Sequence, residues 1–234
     1  KMTEPQNIIN NILNYFENLS NNKKLKALVT AGPTQEKIDP VRFISNKSSG
    51  KQGYEIANSL KNNGFETTLI SGPTNLKPIS GINLINVNTA EEMLNKCLDC
   101  LPVDIAIFTA AVSDYKVKNF YEQKIKKREN LNLDLEQNVD ILKHISNHKY
   151  LRPKLVIGFA AETNNLRKNS IEKLSEKNCD WIISNDVSNP EIGFNSENNK
   201  VSIFYKNKIE ENLPKMSKSA VANEIVNKII SDFN

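Results

Sequence analysis

Residues 25–63, LKALVTAGPTQEKIDPVRFISNKSSGKQGYEIANSLKNN, carry the decision on fold. They open with a compact apolar run, 25–31, that reads as a strand buried on both faces and ends at Gly32-Pro33. They close over 51–63 with a helical pattern, Tyr54, Ile56, Ala57 and Leu60 forming its apolar face and Gly64 its C′ stop. The loop between, 32–50, is long for a compact domain, and loops of that length are functional when they are ordered. Four apolar residues, Ile38, Val41, Phe43 and Ile44, are expected to anchor it.

The same alternation continues outward. Further strands are expected at 67–70, 82–87, 103–111, 155–159 and 181–184, with a hairpin from 200–205 and 208–211 turning at Lys206-Asn207. Thr89-Ala-Glu-Glu92 is a capping box opening a helix with Met93, Leu94, Cys97 and Leu98 as apolar positions. Another helix runs through Ile171 and Leu174, and a last one spans about 217–233. The fold class expected is therefore α/β: a Rossmann-like, doubly wound, mainly parallel sheet with a C-terminal β-hairpin and a closing helix. Residues 1–24 read as a short polar helix and an Asn/Lys linker, and 25–234 as a single nucleotide-binding domain.

Composition removes several function classes. Hydrophobic residues make up 38% and charged residues 25%, ordinary for a soluble globular protein. No apolar run approaches the roughly 18 residues of a membrane span, and no signal-peptide pattern is visible, so a cytoplasmic protein is expected. The net charge of +4, from 31 basic and 27 acidic residues, is spread thinly and argues against nucleic-acid binding. Cys97-Leu-Asp-Cys100 has CxxC spacing but sits late in a helix, where no dipole stabilises a thiolate. With two histidines, His144 and His148, a protein-built metal site is not expected.

In a doubly wound sheet, ligands bind beyond the carboxyl ends of the strands, at the point where strand order reverses. After the first strand, Asn46-Lys47-Ser48-Ser49-Gly50-Lys51-Gln52-Gly53 leads small polar residues into a helix start, where N–H groups and hydroxyls can cradle a phosphate. A plain helix cap, for which Ser49 would suffice, is the structural alternative. After the fourth strand come Ala110-Ala-Val-Ser-Asp114-Tyr115 and the basic run Lys124-Ile-Lys-Lys-Arg128. In an extended loop Lys124 and Lys126 point one way and Ile125 the other; such lysines suit a triphosphate, although charge runs are often only solvated. After the fifth strand, Gly158-Phe159-Ala-Ala-Glu-Thr163 offers an aromatic ring for a base. Tyr150-Leu-Arg-Pro-Lys154 has the YxxxK spacing of short-chain dehydrogenases, but Pro153 breaks the helix that spacing needs.

Together these segments resemble the bacterial form of the phosphopantothenate–cysteine ligase family. The matching stretches are AGPTQEKIDPVRFISNKSSGKQG (31–53), SGPT (71–74), AAVSDY (110–115), KIKK (124–127), GFAAETNN (158–165), NDVS (185–188) and GFNSENN (193–199). They run in order across about 25–232. The resemblance implies a ligase that condenses 4′-phosphopantothenate with L-cysteine through an acyl-cytidylate made from CTP with Mg2+, a step of coenzyme A biosynthesis. It implies that Asn46 contacts the acyl group, that Arg42 orders that loop and that Lys124 stabilises charge during activation. Asp114 would hold the nucleotide, and Ala110, Val139, Asp140, Ile141, Leu142, Phe159, Lys173 and Lys177 would complete its pocket. The substrate phosphate falls to Ser48, Ser49, Gly50 and Gly53. Where relatives show Asn-Pro-Asp, this chain has Asn138-Val139-Asp140, a turn without proline whose backbone donors remain.

The resemblance also implies a homodimer in which the Lys124 segment reaches the partner's site. Lys1-Met-Thr-Glu-Pro-Gln resembles the end of the flavin-dependent decarboxylase to which many bacterial members are fused, so this chain is expected to be a ligase half. The leading rival is an NAD(P)-dependent oxidoreductase on a similar sheet, which lacks support because no glycine-rich dinucleotide fingerprint follows the first strand. A non-catalytic nucleotide sensor would need neither Asn46 nor Lys124.

Overall fold

The computed structural model describes residues 9, 24–127, 130–186 and 196–233. The expected N-terminal helix and linker (Ile9 and Lys24 apart), Arg128 and much of the NDVS and GFNSENN stretches lie outside these residues.

Eight strands form one sheet. Six are parallel: β1 (Lys26–Ala31), β4 (Glu66–Ser71), β5 (Asn83–Asn86), β6 (Ile105–Phe108), β9 (Leu155–Glu162) and β10 (Trp181–Asp186). Their spatial order is β5-β4-β1-β6-β9-β10, so the chain winds outward one way from β1 and then returns to wind the other way from β6. The reversal lies between β1 and β6, where Ala27 to Thr30 register with Ile105 to Phe108. A C-terminal hairpin, β11 (Val201–Tyr205) and β12 (Glu210–Asn212), adds antiparallel strands beside β10 and turns at Lys206-Asn207-Lys208, with Lys208 at φ 69°.

Burial follows the sequence. Ala27 to Ala31 of β1 are all buried, as an interior parallel strand requires. Helix α1 (Lys51–Asn62) and the closing helix α5 (Lys218–Phe233) cover one face, packing Ile56, Leu60, Ile225 and Ile229 against Val29, Ile107 and Ile157. Helices α2 (Ala90–Asp99) and α3 (Ile141–Ser146) cover the other, with Met93, Cys97 and Ile145 against Leu28, Ala106 and Val156. Each such fully buried aliphatic side chain stabilises by about 1.5–3 kcal/mol relative to exposure. The Thr89–Glu92 capping box forms as read.

The structure departs from three expectations. The strand expected over 103–111 ends at Phe108, and the chain leaves the sheet before an isolated bridge between Pro33 and Ala111. The apolar residues of the 32–50 loop do not all anchor it: Val41 is 58% and Phe43 50% exposed, whereas Thr34, Glu36 and Asp39 are buried. Polar bonds order this loop instead. Glu36 accepts the Ala90 amide at the start of α2, and the loop folds into a small hairpin, β2 (Gln35–Lys37) with β3 (Phe43–Ser45). The helix expected through Ile171 and Leu174 forms as α4 (Leu166–Glu176); its buried residue is Ser170, whose hydroxyl pairs with Ser184 at 2.6 Å. Finally, α1 starts at Gly50 in a left-handed conformation (φ 74°) that makes no side-chain cap bond, so Ser49 is not its N-cap.

Candidate active site at the strand-order reversal

Two loops meet above the carboxyl ends of β1 and β6, and backbone bonds lace them together. Ala111 donates to the Gly32 carbonyl at 2.9 Å and Thr34 to the Ala111 carbonyl at 3.3 Å. The Thr34 hydroxyl accepts the Ser113 amide, and Thr109 Oγ1 donates to the Thr30 carbonyl. Asn46 Nδ2 completes the seam by donating to the Val112 carbonyl at 2.8 Å. The start of α1 sits close against this seam because Gly53 has no side chain: a Cβ there would stand 2.4 Å from Thr109 Oγ1 and 2.6 Å from Ala31 Cβ.

A cavity of about 710 Å³ opens at this point. The residues expected for a substrate phosphate (Ser48, Ser49, Gly50 and Gly53) line it together with Asn46. Those expected for a nucleotide line it too: Ala110, Asp114, Val139, Asp140, Ile141, Leu142, Phe159, Lys173 and Lys177. Segments separated by more than a hundred residues in the chain thus share one space. Arg42 and Lys124 do not line it.

Several of these side chains are held in place. Asp140 caps α3 by accepting the Lys143 amide at 2.9 Å, and its other oxygen takes the Lys177 ammonium at 2.5 Å. Lys173 is fixed by Glu162, a nearly buried carboxylate at the end of β9, at 2.6 Å. At the Asn138-Val139 position, the Val139 amide, which a proline would lack, donates to Asn138 Oδ1 at 3.1 Å. The turn therefore keeps a defined shape without proline.

Lys51 and Gln52, inside the segment read as a phosphate cradle, line the cavity too, whereas Asn199 and Lys218 are wall residues to which the sequence assigned no role. Lys51 pairs with Glu197, which holds the Glu197 carboxyl below its usual range. Lys218 is 5% exposed, and burial, reinforced by the nearby Lys51 charge, lowers its pKa. An anion entering here would relieve that cost. Nothing local in the sequence flags Lys218, because its link to the 48–53 loop exists only through the packing of α5 on α1.

Arg42 and Lys124 belong to a neighbouring region. The short strands β7 (Tyr115–Val117) and β8 (Leu135–Gln137) pair as a second small hairpin, and the chain between them carries the lysines. As the alternation predicts, Ile125 is buried and Lys124 and Lys126 are exposed. Among the described residues no group of three or more His, Cys, Asp or Glu could hold a metal ion. His144 is exposed near the end of α3, and residues 150–154 are not helical, so the YxxxK spacing places no shared face. No described helix is long and apolar enough to cross a membrane.

Known proteins are similar to this chain along nearly its whole length. Residues 22–233 match the family described as DNA/pantothenate metabolism flavoprotein C-terminal domain. The chain is 40% identical over 235 residues to the coenzyme A biosynthesis bifunctional protein CoaBC of Haemophilus influenzae, covering 100% of this chain and 58% of that protein. It thus spans little more than half the length of such curated relatives. The crystal structure of the C-terminal domain of a CoaBC protein is similar at a TM-score of 0.74 and 41% identity, covering 88% of this chain and 93% of that one. A Cab2 mutant in complex with phosphopantothenate-cysteine shares the fold at a TM-score of 0.71 and 16% identity, covering 98% of this chain and 94% of that one. With nearly its whole length matched, this chain belongs to the DNA/pantothenate metabolism flavoprotein C-terminal domain family.

Proposed function

We propose that this chain is a phosphopantothenate–cysteine ligase that uses CTP and acts in the cytoplasm in coenzyme A biosynthesis. The observation that carries the reading is the single cavity at the strand-order reversal, in which the Asn46–Gly53 loop faces Asp114, Phe159 and the Val139–Leu142 turn. One half suits the phosphate of phosphopantothenate and the other a nucleotide, and the reaction needs both in contact.

A carboxylate is a poor acylating agent. In the first stage the phosphopantothenate carboxylate attacks the α-phosphorus of CTP; a P–O bond forms, and the bond to pyrophosphate breaks. In the second, the cysteine amine attacks the acyl carbon, loses a proton, and CMP departs with the electrons of the C–O bond. Asn46 contacts the acyl group, and Lys124 offsets charge as pyrophosphate leaves. Asp114 orients the nucleotide, Phe159 lies against its base, and Lys173 and Lys177 face its phosphates.

Magnesium fits this arrangement as a partner of the triphosphate. The described residues offer no carboxylate cage, and a hard cation is satisfied by phosphate oxygens and water. When bound it supplies further charge neutralisation.

Because Lys124 stands outside the cavity of its own chain, the working unit proposed is a homodimer in which the flap enters the partner's site. Val41, Phe43, Tyr115 and Leu135 leave apolar side chains about half exposed on the two small hairpins, a surface suited to a second copy. The decisive assay mixes the protein with Mg–CTP and phosphopantothenate, then adds cysteine. Pyrophosphate release that depends on phosphopantothenate, followed by cysteine-dependent CMP formation, is expected. Absence of both, with an absorbance change on NAD(P)H instead, would overturn the reading; parallel initial rates with ATP test the choice of CTP.

A further inference from the structure

We propose that Asp39 is the positioning residue of the lysine flap: its carboxylate fixes the backbone beside Lys124 and so sets where that ammonium can reach. The role of Lys124 rests on the ligase reading above; the joint itself does not.

Asp39 lies in the turn of the β2–β3 hairpin and is 2% exposed. One oxygen, Oδ1, accepts the amides of Val41 and Arg42 at 2.8 and 2.9 Å, which folds its own turn. That alone would satisfy a local structural role. The other oxygen, Oδ2, accepts the amide of Ile125, 86 residues further along, at 3.1 Å. Arg42 doubles the connection, donating from Nη1 to Asp39 Oδ2 at 3.2 Å and from Nη2 to the Ile125 carbonyl at 3.2 Å. The Tyr121 amide adds a third tie by donating to the Ile38 carbonyl at 3.1 Å.

Within residues 121–127 Ile125 alone is buried, and its neighbours Lys124, Lys126 and Lys127 are exposed. Beside Lys124 the flap is therefore pinned at Ile125, by a carboxylate and a guanidinium from the hairpin that leads to Asn46. Burial by itself opposes ionisation of Asp39, but the amides of Val41, Ile125 and Arg42 and the guanidinium outweigh it and hold the carboxyl below its usual range. A charged acceptor shared by an amide and an arginine makes a stiff joint.

The test is Asp39→Asn. Its amide group can keep one acceptor for the turn but sets a donor against the Ile125 amide or against Val41 and Arg42. Limited trypsin digestion should cut after Lys124, Lys126 or Lys127 at least about tenfold faster than in the parent, while the thermal midpoint of the domain moves little. The maximal rate of pyrophosphate release should fall about tenfold or more with a smaller change in KM for CTP. In a Lys124→Ala background the same substitution should cost less than about twofold, because the two act through one ammonium. Arg42→Ala, on a partly exposed side chain, should reproduce the trypsin effect if Asp39→Asn does not fold. Unchanged cleavage in both variants, or an undiminished loss of rate without Lys124, would overturn the proposal. Parent protein with no substrate-dependent pyrophosphate release would sink the ligase reading alone, since the cleavage experiment still reports on the joint.

Discussion

Asn46 donates its side-chain amide to the backbone carbonyl of Val112 at 2.8 Å, bridging the loop that follows β1 and the loop that follows β6. The bridge spans the strand-order reversal, so Asn46 stands between the 48–53 loop, proposed to hold the substrate phosphate, and the side of the cavity proposed for the nucleotide. Asn46→Ala removes the bridge and, on the proposed ligase reading, the polar group that contacts the acyl carbon. Conversion of the acyl-cytidylate with cysteine is expected to fall by at least about tenfold, with CTP affinity changed less. Single-turnover measurements of the two stages check this; a variant whose only defect is weaker CTP binding would remove Asn46 from the acyl step.

The tight seat of α1 supplies a prediction about stability. Gly53→Ala would place a methyl group 2.4 Å from Thr109 Oγ1 and 2.6 Å from Ala31 Cβ, with the Thr30 carbonyl oxygen at 3.2 Å. Overpacking of this kind costs about 1–3 kcal/mol. Urea unfolding should show a lower midpoint with an unchanged slope, and the Thr109–Thr30 bond beneath the cavity is the contact most exposed to the strain. No loss of stability would mean that the helix slides away freely.

The sequence made most of this architecture legible because burial in a parallel sheet leaves a continuous apolar run, and 25–31, 155–159 and 181–184 are such runs. The loop after β1 was legible as a site but not in its construction. Val41 and Phe43 look like anchors in sequence, yet they face outward, and Glu36 and Asp39 sit inside. The clue was present: Asp39 precedes Pro40, a pattern for a side chain that folds its own turn. Its second partner, Ile125, could not be read because no local rule links residues 86 positions apart. Lys218 escaped for the same reason, since a lysine at the start of a C-terminal helix is ordinary until α5 packs beside α1.

Cysteine chemistry gives an independent check on the interior. Burial, with a smaller contribution from Cys100, raises the pKa of Cys97; burial also pushes Cys179 up to about 12, and Cys100 is raised less far. A raised pKa means less thiolate at a given pH, so reactivity should be suppressed at pH 8 and climb above it. Cys97 and Cys179 are fully buried and Cys100 partly so. With an aromatic disulfide reagent, native protein should label slowly at Cys100 alone, and the other two only in denaturant. Native labelling of Cys97 at the rate of Cys100 would contradict the packing of α2.

The Lys124 flap lends itself to a complementation experiment. Its side chain is exposed, so Lys124→Ala should leave unfolding free energy within about 0.5 kcal/mol of the parent while suppressing pyrophosphate release. If the flap serves the partner's cavity, each site in a dimer needs Asn46 from one chain and Lys124 from the other. Mixing the impaired Asn46→Ala protein with the impaired Lys124→Ala protein and allowing subunits to exchange then creates hybrids with one intact site. Random exchange makes half the dimers hybrid, and half of their sites are whole, so activity should return to about a quarter of the parent value. Were the flap instead to serve its own chain, every site in every hybrid would carry one defect and no activity would return. Recovery near a quarter, tracking the rate of subunit exchange, would place Lys124 across the interface; none after complete exchange would confine it to its own subunit.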